Sequence, residues 1–213
     1  MKIAIIGATG MAGTALYKES VSRGHEVTAI VRHKDKAISL FGEGVKVIDK
    51  DVFELTKSEI EGFDVIVNSF ATAPNTAYLH QDLAAKLIHM FRETESPRLF
   101  FILGAGSLLD ENDKLLLDTL KTLPDVASWI SIPIEAYKAL EFLRSIENVN
   151  WVGVSPSSEF VPGEATVPVI GKDHLLTSAE GKSVVTSGTM AVAILDEIEH
   201  PQFIRTRFTV CNQ

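Results

Sequence analysis

The 213 residues contain one cysteine, Cys211, so no intrachain disulfide can form, and a reducing cytoplasm suits the chain. No stretch approaches the ~18 uninterrupted apolar residues of a membrane span. Met1-Lys2 leads straight into an apolar run, without a signal-peptide plan. Basic charge is short: 20 Lys and Arg against 28 Asp and Glu leave a net charge of −8. That balance argues against nucleic acid or an acidic membrane as partner, although local cations can still hold a small anion. The 6 histidines form no metal-ligand pattern; at about 100° per residue, His80 and His89 fall on opposite faces of one helix, and no metal site is expected. GxSxG and HExxH are both missing, and Asp110-Glu111-Asn112-Asp113 has the look of a solvated loop. What is present is ordinary: 46% hydrophobic and 23% charged residues can bury the core of one domain spanning 1–213.

The informative segment is Gly7-Ala8-Thr9-Gly10-Met11-Ala12-Gly13. It follows the apolar run Ile3-Ala4-Ile5-Ile6 and precedes a helical pattern over 14–23. A strand, a glycine turn and a helix make a seat for a diphosphate. The helix start offers free N–H groups and the positive end of its dipole, and glycines let the backbone come close. The spacing is GxxGxxG, where the usual dinucleotide fingerprint is GxGxxG. We read Gly7, Ala8, Thr9, Gly10, Met11 and Ala12 as cofactor-binding.

Apolar runs alternate with helical patterns through the first two-thirds of the chain. Strands are expected at 2–6, 26–31, 45–49, 64–68, 99–103 and 151–154. In 81–93, Leu83, Leu87 and Phe91 recur at helical spacing, which predicts a core-facing stripe. The pattern implies an α/β fold of Rossmann type: a doubly wound, mainly parallel sheet with helices on both faces. Two stretches break the beat, 104–125 and the Pro- and Gly-rich 156–186. Both leave the carboxyl edge of the sheet, where such folds bind ligands. They are expected to wall a substrate site, the second as a small irregular C-terminal lid. A helix over 187–199 and a strand over 205–210 close the chain.

NAD-selective folds place an acid at the end of the second strand, on the ribose 2′-hydroxyl. Here the sequence is Val31-Arg32-His33-Lys34-Asp35-Lys36. A guanidinium at Arg32 can pair with a 2′-phosphate and stack on adenine. That favours NADP(H) over NAD(H), with Lys34 or Lys36 adding charge, His33 facing the adenine and Asp35 opposing. Asp51, past the third strand, either accepts from the adenine amino group with Val52 against the ring, or is a plain turn residue. After the fourth strand, Asn68, Ser69 and Phe70 are placed beneath the nicotinamide side, Phe70 doubling as a core candidate.

These segments, with the fifth-strand exit Gly104-Ala105-Gly106-Ser107-Leu108, resemble the atypical short-chain dehydrogenase/reductase family with an NAD(P)H-binding domain. The later Trp151-Val152-Gly153-Val154-Ser155-Pro156, Phe160-Val161-Pro162-Gly163 and Arg205-Thr206-Arg207-Phe208-Thr209-Val210 fit it too. Within it the chain is most similar to the proteins grouped as NADH-flavin reductases, relatives of biliverdin reductase B and the NmrA-like regulators. The resemblance implies a Rossmann sheet with a small lid, and Gly104 and Ala105 at the fifth-strand exit are added to the cofactor contacts; Pro156, ending the sixth strand, either meets the carboxamide through its backbone or only shapes the lid entry. Two departures stand out. The Ser-x-x-Asp-x-Ala acid common in the last helix is missing from 187–193, and 164–170 is unusually apolar.

Most short-chain reductases use a Tyr and, four residues on, a Lys that lowers the phenol's pKa. Four beyond Tyr17, Tyr78 and Tyr137 stand Val21, Asp82 and Glu141, so the dyad is missing. Hydride transfer to a conjugated ring needs alignment and exclusion of water more than a phenol. Ser107 is the one candidate donor, with a capping serine as its plainer role. Trp129, Tyr137 and Phe142 fall on a helix pattern starting by Pro133 and read as core or subunit contact. The leading expectation is an NADPH-dependent reductase of a flavin (FMN or FAD as substrate) or another planar small-molecule acceptor, monomeric or a homodimer. The alternatives are a non-catalytic NADP(H)-sensing protein of NmrA type and an isomerase or epimerase with tightly held cofactor.

Overall fold

The computed structural model describes residues 1–213. The chain runs β1 (Lys2–Ile6), α1 (Met11–Ser22), β2 (Glu26–Val31), α2 (Lys34–Phe41), β3 (Lys46–Asp49), α3 (Lys57–Ile60), β4 (Val65–Asn68), α4 (Leu79–Met90) and β5 (Thr94–Ile102). It continues through α5 (Leu116–Leu120), α6 (Ser131–Arg144), β6 (Val149–Pro156), β7 (Glu159–Val161), β8 (Pro168–Gly171), β9 (Val184–Thr186), α7 (Ser187–Glu199) and β10 (Thr206–Asn212). Eight strands form one sheet in the order β3-β2-β1-β4-β5-β6-β10-β8. Every pairing in it is parallel except β8 with β10. This is the Rossmann-type α/β architecture that the alternating apolar runs predict.

The pleat sorts the core. Ile3 and Ile5 of β1 point to a cluster shared with α1, α2 and α7, while Ala4 and Ile6 point to one shared with α4 and α6. Tyr17 of α1 stacks on Phe41 at the end of α2, with ring centroids 3.8 Å apart. On the other face Trp151 is fully buried and its indole N–H donates to the carbonyl of Ile146 at 3.0 Å. Each large side chain of this kind contributes about 3–5 kcal/mol against truncation to alanine. No helix is long and apolar enough to cross a membrane.

The 156–186 stretch is more regular than its composition suggests. β8 adds an antiparallel edge to the main sheet, and β7 pairs with β9 in a separate two-stranded parallel sheet. Between them, 163–166 is strapped to the start of α7. The Gly188 N–H donates to Gly163 O at 3.0 Å, Thr186 Oγ1 to Glu164 O at 2.7 Å, and the Thr166 N–H to Thr189 Oγ1 at 2.9 Å.

Candidate functional site

β1 ends at Gly7, whose φ of +73° only glycine takes without strain. A Cβ there would lie 2.8 Å from the carbonyl oxygen of Ser69, so the turn and the β4 exit are in direct backbone contact. The next turn brings Gly10 N–H to Gly7 O at 2.9 Å, and Gly10 becomes the N-cap of α1. No side chain caps that helix and no acid lies in its first turn, so its leading N–H groups face outward for an anion. Gly13 explains the third glycine: a Cβ would sit 2.2 Å from Gly7 O. α1 is pressed against the turn as closely as backbone allows.

Beside the turn lies a cavity of about 300 Å³, with Gly7, Thr9, Gly10, Arg32, His33 and Asp51 among its walls. A second, an open cleft of about 500 Å³, shares Arg32, Asp51, Phe70 and Ala71 and is also lined by Phe53 and Leu79. Arg32 therefore stands between the two. It is exposed and belongs to none of the ion pairs. Lys36 borders the first cavity and is equally free. Lys50 is spent on Glu59 at 2.6 Å, whose carboxyl is pushed down to about 2 by that hydrogen bond and those from Thr56. Asp51 uses Oδ1 to cap a short turn, accepting from Phe53 N–H at 2.9 Å, while its side chain still borders both cavities. It is a turn residue and a site-lining carboxylate at once. Phe70 meets Phe53 and His80 edge-on, with centroids 6.0 and 5.5 Å away. Burial pulls the His80 imidazole below its ordinary value, against the charge of Glu135.

The other expected contacts divide. The Ala8 side chain is in the core, leaving its backbone to the site; Met11 is exposed beside the cradle and Ala12 half-buried. Val52 is buried against the α4 side yet touches the first cavity. Ser69 lines that cavity, but its hydroxyl turns back to Ile6 O at 2.6 Å; Asn68 accepts from Phe70 N–H at 3.1 Å and borders neither cavity. Gly104, Ala105, Ser107 and Pro156 border neither cavity as well. Gly104 has a packing reason to be glycine, since a Cβ would meet the Ala136 methyl at 3.2 Å. Ser107 is buried and bound to Arg207, a residue that sequence reasoning passed over as part of a closing strand. Its one signal is a cation at the head of the mainly apolar Phe208-Thr209-Val210-Cys211. The largest hollow, about 740 Å³, is a groove over the outer side of α1, walled by α2, Pro162–Ala165 and the start of α7; it meets the cradle only at Thr9, Gly10 and Met11.

Strand order reverses between β1 and β4, and the glycine turn sits at that reversal, the place where open α/β sheets take ligands. The molecule is thus a dinucleotide-binding α/β protein of Rossmann type. The profile of the NAD(P)H-binding family matches residues 7–201, and the chain belongs to that family. It is 38% identical to the uncharacterised protein YwnB of Bacillus subtilis, across the whole chain and 99% of the relative. Among solved structures it is similar to a Lactobacillus casei protein at TM-score 0.93 and 38% identity, covering 100% of this chain and 99% of that one. It is also similar to a Streptococcus pneumoniae protein provisionally named a NADH-flavin reductase, at TM-score 0.89 and 33% identity over the full length of both.

Proposed function

We propose that the protein is an NADPH-dependent reductase of flavins or other planar, conjugated acceptors. The carrying observation is Arg32, unpaired and exposed at the junction of two cavities beside the glycine turn. A 2′-phosphate on the adenosine ribose supplies the anion that this guanidinium lacks. Asp51 offers an acceptor for the adenine amino group, and Phe70 with Phe53 offers the apolar wall. The free N–H groups of α1 neutralise the diphosphate. When bound, the reduced nicotinamide supplies the hydride. The chain's work is then to orient the ring, exclude water and hold the acceptor in line. The relative's name, a NADH-flavin reductase, supports the acceptor class; Arg32 argues for the phosphorylated coenzyme. A phenol–lysine pair is not needed, because a reduced conjugated ring takes its proton from water.

One observation favours a second reading, a dinucleotide sensor without turnover. Ser107, the candidate donor, is only 5% exposed, and none of the three hollows described reaches it. The two readings separate in one assay. Purified protein is mixed with NADPH and FMN, FAD, a quinone or a bilin, and the nicotinamide absorbance is followed. Acceptor-dependent oxidation far above the uncatalysed rate is the expected result. Tight NADPH binding with no acceleration across the panel would replace the reductase by the sensor.

A further inference from the structure

The groove along the outer side of α1 is larger than either coenzyme cavity, and the coenzyme reading gives it no occupant. At about 740 Å³ it falls in the range of small-molecule sites. One wall is α2, through Lys36 and Leu40; the other is the strap 162–165 with the start of α7. The strap is a preformed wall. Its hold on α7 leaves no slack: a Cβ at Gly188 would stand 2.5 Å from Ala165 N, and one at Gly163 would stand 2.9 Å from the Thr186 methyl. No residue of the β5 or β6 exit borders the groove, so it is not where an acceptor meets the nicotinamide in the proposed reading.

The charged side chains that line it are Lys18, Glu19, Lys36 and Glu164. Glu19 is already held by Arg23 at 2.7 Å. Neither lysine belongs to any of the ion pairs, and neither does Glu164. Two free cations against one free carboxylate leave the groove a surplus of positive charge, and concave walls of low dielectric focus such a field on anions. The Glu164 backbone is fixed by the Thr186 hydroxyl, which donates to its carbonyl at 2.7 Å, while the residue itself is exposed. A carboxylate only accepts, so a ligand here must bring hydroxyl or N–H donors along with its anion. Met11 and Leu40, each 40% exposed, offer apolar surface for a carbon skeleton to cover. Thr9, Gly10 and Lys36 border both this groove and the first coenzyme cavity, and of the three only Lys36 carries charge.

We propose that the groove is a regulatory site for a phosphorylated, hydroxyl-bearing small molecule of sugar-phosphate type, whose phosphate takes Lys18 and Lys36 and whose hydroxyls reach Glu164. This rests on the reading of Arg32 and its neighbours as the seat of the 2′-phosphate. One ammonium cannot serve two phosphates fully, so the occupant of the groove and the 2′-phosphate compete for Lys36. Binding in the groove weakens NADPH and leaves NADH, which has no 2′-phosphate, almost untouched. The effect is reciprocal: NADPH weakens the groove's ligand by the same factor. The occupant thus shifts the choice of coenzyme without touching the acceptor.

The probe is fructose bisphosphate, which carries phosphates and hydroxyls but no adenine. Coenzyme Kd values are measured by titration calorimetry with and without it, at matched ionic strength. At saturating probe the NADPH Kd should rise about fivefold or more and the NADH Kd by less than about twofold. Lys18 borders the groove but not the coenzyme cavities, and in Lys18→Ala the probe should lose its effect on NADPH. In Lys36→Ala, NADPH should bind more weakly without the probe and no longer respond to it. A wild type that does not bind the probe overturns the proposal. So does an equal weakening of both coenzymes that persists in Lys18→Ala, which would place the probe in the diphosphate cradle. A wild type that binds NADPH and NADH equally without the probe sinks the coenzyme assignment itself, a result distinct from a missing response in a protein that prefers NADPH.

Discussion

Arg32 is exposed and belongs to no ion pair, and in the proposed reading that freedom is what lets it select the phosphorylated coenzyme. Coulomb attraction to a phosphate at hydrogen-bond distance is worth about 1.5–3 kcal/mol when charge-assisted. Arg32→Asp replaces that attraction with repulsion and at the same time installs an acid suited to a 2′-hydroxyl. NADPH affinity should fall about a hundredfold or more, and NADH affinity by only about threefold, as calorimetric titration with each coenzyme can show; equal losses would remove the preference. Tyr137→Phe is the complementary case. Its neighbour Lys138 is paired with Glu135 at 2.7 Å and Glu141 stands where the dyad lysine would be, so acceptor reduction should stay within about twofold of wild type; an inactive variant would reveal a proton donor. At this scale the sequence is legible where residue type alone fixes the backbone, as with Gly7, whose positive φ and close approach to Ser69 O call for glycine. It is opaque where a side chain chooses between the cavity and its own backbone. Nothing in Asn68-Ser69 says that the hydroxyl will return to Ile6 or that the amide will cap Phe70. Nor does a cation in a closing strand say that it lies under Ser107.

Between the first strand and the first helix the tolerance is set by backbone against backbone. A methyl at Gly13 would stand 2.2 Å from Gly7 O, and neither atom belongs to a flexible side chain. Gly13→Ala must therefore push α1 away from the turn, at about 1–3 kcal/mol of overpacking. The turn and the helix start move with it, so NADPH binding should weaken by more than the stability loss alone explains. Urea unfolding and coenzyme titration of the one variant check both halves, and a variant with wild-type affinity would place the diphosphate elsewhere. Elements of this kind are the legible ones. β1 and β2 match their expected ranges end for end, because a strand buried on both faces by helices is written in mostly apolar residues. β5 begins at Thr94, well before the apolar Leu99, because its opening residues include Glu95 and Ser96 at the exposed rim. The place of β8 in the sheet is not written in Pro168-Val169-Ile170-Gly171: its partner is β10, some forty residues on, and it pairs in the antiparallel sense.

Across the whole molecule, α1 and α7 are locked at their far ends by charge, where the apolar contact between them runs out. Arg23 bonds Glu19 and Asp196 at 2.7 Å and Glu199 at 2.8 Å, while His25 Nε2 lies 3.0 Å from Glu199 and the terminal amine 3.4 Å from His25 Nδ1. Burial opposes the charge on Arg23, but its hydrogen bonds to three carboxylates raise its pKa on balance. For Glu199 burial works upward, and the bonds and charges of Arg23 and His25 outweigh it, holding the carboxyl below its ordinary 4.5. A carboxyl depressed in the folded state binds its proton more readily when unfolded. Its stabilisation is therefore complete above the ordinary value and is lost as pH falls through the folded one. Asp173, held below 3.8 by Arg207 and Arg144 against its own burial, adds to the same trend from the sheet's other half. The urea midpoint should accordingly be level from about pH 7 to about pH 5.5 and decline below about pH 4.5. Glu199→Gln lowers the plateau and flattens the decline, since the amide has no proton to take up. The linkage acts where the two helices that frame the glycine turn converge away from it, so coenzyme affinity at neutral pH should not change in this variant. A Glu199→Gln protein that loses stability on acidification as steeply as wild type would show that the helix-end cluster is screened by solvent and that the acid limit is set by other carboxylates.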